Sequence, residues 1–87
     1  MSTIGADMGQ LEQLKGTFDR ESQDVARLTS AISGQLSGTS WQGPAADRFR
    51  NSWNSEFAPS LRRLEQALQE ASAELQRRHE ALLQAGS

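Results

Sequence analysis

Apolar residues recur every seven positions along two stretches of the chain, with one break between them. Stepping by seven from Ile4 gives Leu11, Phe18, Val25 and Ile32, and Met8, Leu14, Leu28 and Leu36 widen that line into a stripe. In the second stretch Leu61, Leu68, Leu75 and Leu82 repeat in the same way, flanked by Phe57, Leu64 and Ala71. A seven-residue period filled in at three and four is the signature of a helix with one apolar seam. The opposite faces carry Glu12, Lys15, Asp19, Asp24 and Arg27 in the first stretch, and Arg62, Glu65, Gln69 and Glu70 in the second. The pattern predicts helix 1 over about 4–37 and helix 2 over about 44–85.

The break, residues 38–43, reads as a turn. Gly38 suits the position just past a helix end, and Gly43-Pro44 suits an N-cap followed by proline at the first helical position. Asp47 then falls in the first turn, where the helix dipole favours an anion. A connection this short makes the helices antiparallel neighbours. Pro59 sits inside the second pattern, where it removes one backbone donor and crowds the carbonyl of Ser55. No glycine accompanies it, so the expectation is a kink near Pro59 rather than a third helix.

Two helices cannot cover each other's stripes completely. A second hairpin would cover them, so the predicted fold is an all-α antiparallel hairpin over residues 1–87 that pairs into a dimeric four-helix bundle. Its seam would hold Ile4, Leu11, Phe18, Val25, Ile32, Leu61, Leu64, Leu68, Leu75 and Leu82.

Composition narrows the chemistry. With no cysteine, disulfides, thiolate metal sites and thiol nucleophiles are excluded. Nine basic against eleven acidic residues give no electrostatic reason to expect nucleic acid. Arg48 and Arg50 alone supply basic charge at the start of helix 2, too little for a helix-turn-helix DNA reader. No apolar run reaches the roughly 20 residues of a membrane span. The first residues lack the basic region and apolar core of a signal peptide. The sole histidine, His79, begins a zinc-protease-like stretch, but Leu83 stands where the second ligand belongs. It reads as a residue favourable to a helix C-terminus. No acid/base pair, triad, phosphate loop or cofactor site can be assembled, so the expectation is a non-enzymatic protein without cofactors or metals.

The informative cluster lies at the bend: Trp41, Gly43, Phe49, Trp53 and Phe57. Phe49, Trp53 and Phe57 are spaced at four, which places them on one helical face. They can pin the hairpin end as an apolar plug, present a recognition surface, or do both.

With Trp41-Gln42-Gly43 between two heptad helices, then Ala45, Ala46, Phe49 and Trp53, the sequence resembles the Trp-X-Gly (WXG) proteins of about one hundred residues. These early-secreted-antigen-like proteins, a virulence-related group, are exported by type VII (ESX) secretion systems. The resemblance covers essentially the whole chain. It implies a helical hairpin that pairs with a second Trp-X-Gly protein, and a turn, here Trp41 and Gly43, contributing to the surface that specifies export. It further implies a type VII secretion ATPase as partner, and release from a bacterial cytoplasm without a cleaved signal peptide. The family's export signal is a tyrosine followed four residues later by Asp or Glu, and this sequence has no tyrosine. Helix 2 also runs nearly to Ser87, which leaves little room for a signal-bearing tail. The expectation is therefore the signal-lacking half of a heterodimer, with a homodimer as the other assembly. The competing reading is an intracellular helical adaptor or chaperone-like partner that is not itself exported.

Overall fold

The computed structural model describes residues 5–85, and among these there is no strand. Helix α1 (Met8–Gly38) runs to the bend, and α2 (Pro44–Ser52), a π-helical turn (Trp53–Phe57) and α3 (Ala58–Ala85) return along it. The result is an all-helical hairpin, a rod of 67 × 17 × 16 Å. Ile4, placed by the heptad on the apolar seam, and the last two positions of the expected domain lie outside the described residues.

α1 starts at Met8, later than the expected residue 4, because Asp7 caps it: its carboxylate accepts from the Gln10 N–H at 3.0 Å. At the other end Gly38 is the last helical residue and does not adopt the left-handed conformation expected of a residue just past the end. Thr39 closes the helix from an extended conformation, its hydroxyl donating to the Gln35 carbonyl at 2.6 Å.

The return limb is interrupted near Pro59 by a π turn. Immediately before Pro59 the backbone widens into the π turn, where the Ala58 N–H bonds to the Trp53 carbonyl five residues back. Pro59 has no N–H to give, and its ring crowds the carbonyl four residues earlier. Widening the turn by one residue relieves that crowding without breaking the limb. The hydroxyls of Ser55 and Ser60 bond back to the carbonyls of Asn51 and Glu56, both at 2.7 Å, on either side of it.

Apart from Trp53, the residues buried in the hairpin are small. Among the described residues, Ser22 and Thr29 of α1, Ala46 of α2, Trp53 of the π turn, and Ala58 and Ser72 of α3 are buried. Their hydroxyls are satisfied: Ser22 donates to the Glu65 carbonyl at 3.4 Å, Thr29 to the Val25 carbonyl at 2.8 Å, and Ser72 to Asp19. The heptad positions are not among these buried residues. Leu11, Phe18, Val25, Leu61, Leu68, Leu75 and Leu82 are half-buried, and Ile32 and Leu64 are exposed. Two cylinders touch only along a narrow strip, and small side chains occupying that strip leave the large ones to flank it.

Near the open end His79 pairs across the hairpin with Glu12, Nε2 to Oε1 at 3.2 Å. This replaces the expectation that it serves the helix C-terminus. The side chain reaches sideways to α1 because its position faces the other limb.

Candidate functional site

The bend is built on Gly43, whose φ of 111° and ψ of 175° form a combination open essentially to glycine alone. This conformation turns the chain so that Pro44 enters α2 at its first position and the Asp47 N–H closes onto the Gly43 carbonyl at 3.0 Å.

Arg50 then holds the bend shut. Its guanidinium donates to the carbonyls of Trp41 at 2.7 Å, Thr39 at 3.0 Å and Leu36 at 3.4 Å. One planar fork thus satisfies a carbonyl in the last turn of α1 and two in the connection. The same group lies 5.9 Å from the centre of the Trp41 ring, within cation–π range. Sequence reasoning weighed Arg50 only as a possible base contact and missed this role. The available signal was a cation two turns into a helix that follows a tight bend, within reach of the previous helix end.

The five aromatic and glycine positions read together from the sequence separate into three roles. Gly43 shapes the backbone. Trp53 is the buried anchor, and its indole N–H donates to the Ser33 hydroxyl at 2.9 Å across the hairpin. Trp41, Phe49 and Phe57 instead form an outward ridge, each more than 40% exposed. Their rings follow one another at 5.9 Å and 6.4 Å between centroids, tilted by 46° and 42°. Behind the ridge, Ser33, Leu36, Ser37, Arg50, Trp53 and Asn54 line a cleft of about 90 Å³.

Along the rod, Leu14, Leu28, Ile32, Phe57 and Leu64 are exposed, while Leu11, Phe18, Val25, Leu61, Leu68, Leu75 and Leu82 keep part of their surface open. A compact globule of this mass would expose roughly 5,000 Å², whereas the chain exposes 6379 Å². The ion pairs Lys15–Asp19, Asp24–Arg27, Glu74–Arg77 and Glu74–Arg78 each lie within one helix. Asp19 is held below the usual carboxylate range, first by the Ser72 hydroxyl on α3 and then by Lys15. Glu74 is lowered by hydrogen bonds from Arg77 and Arg78.

Among the described residues no cluster of three or more His, Cys, Asp or Glu side chains could hold a metal ion. No described helix is long and apolar enough to cross a membrane. No curated protein and no solved structure gives a significant match to the chain. A family model does match, that of WXG100, described as proteins of 100 residues with WXG, and the match runs over residues 3–87. The tripeptide in question is Trp41-Gln42-Gly43, the bend whose conformation requires glycine. With the motif at the tip of a helical hairpin and the match spanning nearly the whole chain, the protein belongs to the WXG100 family.

Proposed function

We propose that this chain is a small non-enzymatic protein that pairs with a second WXG-type hairpin into a four-helix bundle and is exported as that dimer by a type VII (ESX) secretion system. The observation that carries the reading is the division of labour across the hairpin. Apart from Trp53, the buried residues are small, and the large aliphatic side chains stand half-open in rows along both limbs. A partner hairpin on those rows removes them from water, at about 25 cal/mol for each Å² of apolar surface covered. An interface of standard size, roughly 1,600 Å² in total, is within reach of a rod this long.

The exposed ridge of Trp41, Phe49 and Phe57 is the surface proposed to be read during export, by the secretion ATPase or with it. Arg50 and Gly43 fix its backbone, so the ridge is presented in one geometry rather than ordered at the moment of binding. The absence of tyrosine favours a heterodimer in which the partner supplies the export tail and this chain the Trp41-Gly43 side. Before export the dimer resides in a bacterial cytoplasm, and it leaves without a cleaved signal peptide.

The test is fractionation of cells and medium, with and without the secretion ATPase, for this chain expressed alone and with the small helical protein of its operon. ATPase-dependent appearance in the medium only on co-expression supports the reading. Retention in the cell under every condition favours the adaptor alternative, and export of this chain alone removes the need for a heterodimer.

A further inference from the structure

One charged residue interrupts the α1 side of the open apolar face. On α1, Glu21 falls at helical spacing among Leu14, Phe18, Val25 and Leu28, three, four or seven residues from each. It is exposed. The residues three and four away, Thr17, Phe18, Asp24 and Val25, include no cation, so its own helix offers it no compensating charge. The other carboxylates of α1 are placed differently. Asp7 caps the helix, Asp19 engages Lys15 and Ser72, Glu12 engages His79, and Asp24 pairs with Arg27.

Glu21 stands two positions from residue 23, the middle of the helix Met8–Gly38. In a twofold pairing of two copies with full overlap, mid-helix residues come together in the central layer. An axis along the rods puts both Glu21 side chains at one level. An axis across them separates the two by only about 6 Å along the bundle. Either way two carboxylates with no cation of their own enter the layer most removed from water, where like charges are costly. Sliding the copies to bring Glu21 level with Arg78 displaces the rods by roughly 18 Å and forfeits contact. Arg78 is moreover already engaged by the Glu74 carboxylate at 2.7 Å.

We infer that Glu21 selects the partner: the apolar face is built for a non-identical hairpin that presents a lysine or arginine to the central layer, and it disfavours a second copy of this chain. This rests on the dimer reading above and deepens it by naming the chemistry of the partner's facing residue.

The test needs only this chain and its variants. Sedimentation would be run on wild type, Glu21→Leu, Glu21→Gln and Glu21→Lys separately, and on an equimolar mixture of wild type with Glu21→Lys, with circular dichroism confirming equal helix content. The inference expects wild type and Glu21→Lys alone to associate weakly. The mixture should associate at least about tenfold more tightly than either, and less so as salt is raised. Glu21→Leu should self-associate about tenfold more tightly than wild type, with Glu21→Gln between them. Tight self-association of wild type, unaltered in Glu21→Leu and unimproved in the mixture, overturns the selection role while leaving dimerisation intact. Monomers throughout, Glu21→Leu included, overturn both.

Discussion

The guanidinium of Arg50 reaches back nine residues to the Trp41 carbonyl, at 2.7 Å, while lying beside the ring of the same residue. The backbone of the family tripeptide is thus held by a side chain outside it.

Arg50→Ala should therefore loosen the bend before it unfolds the hairpin. Bonds to a charged group contribute about 1.5 to 3 kcal/mol each in favourable cases, less when solvent can replace them, so a loss of about 1 to 3 kcal/mol in total is expected. Arg50→Lys should recover only part of it, because a single ammonium cannot span three carbonyls as a planar fork does. Urea denaturation gives the stability. Amide exchange over residues 39–43 should quicken in both variants.

Gly43 tests backbone against volume. A Cβ placed there meets nothing within 4 Å, so any cost of Gly43→Ala is conformational. At φ 111° and ψ 175° that cost should be about 1 to 3 kcal/mol. Gly43→Asn should fare no better than alanine, since asparagine is tolerated near ψ of about 45°, far from this value. An asparagine variant as stable as wild type would show that the bend relaxes into another turn.

The two tryptophans should respond in opposite ways. Trp53→Ala removes the buried anchor and should cost about 3 to 5 kcal/mol. Ser33→Ala leaves the indole N–H without its acceptor, for about 1 to 3 kcal/mol, and Trp53→Phe should be milder than truncation. Trp41→Ala, on the open ridge, should leave the melting temperature nearly unchanged and lower export in the fractionation assay. A collapse of stability in Trp41→Ala would make the ridge a plug instead.

Acid should weaken the hairpin through Asp19. Its pKa is depressed in the folded chain, mainly by the Ser72 hydroxyl and then by Lys15. A depressed carboxylate lends stability that is fully present above its unfolded value, about 4, and is lost as pH falls through the folded one. Ser72→Ala should flatten the acid side of the stability–pH curve below about pH 4. An unchanged slope would mean that Asp19 keeps its low pKa without α3.

Periodicity was a good guide to the helices and a poor one to their contact line. The heptads of Leu11 to Ile32 and Leu61 to Leu82 mark where large apolar side chains stand, and those rows are present on both limbs. Which residues lie under the crossing was hidden, because Ser22, Thr29 and Ser72 look like surface residues until a second helix is laid on them. The π turn was half-legible. Pro59 announced a disturbance, but a bend and a widened turn both relieve its crowding, so the sequence alone did not choose between them. At the bend, Gly43-Pro44 was readable from conformational preference alone. The Arg50 clasp was not, since a side chain spanning two elements leaves no local pattern.

Leu64 separates hairpin from assembly. It is 46% exposed in the single chain, so Leu64→Ser should cost the hairpin little. Leu68, half-buried beside the crossing, should give part of the usual core penalty to the lone chain and the rest only once a partner covers it. Stability should accordingly be measured at two protein concentrations far apart, in the presence of the partner. At low concentration Leu64→Ser should track wild type. At high concentration wild type should gain stability from association by mass action, and Leu64→Ser should gain less. A melting temperature independent of concentration for wild type, equal to that of Leu64→Ser throughout, would mean that the exposed rows are left open to solvent and that the bundle does not form.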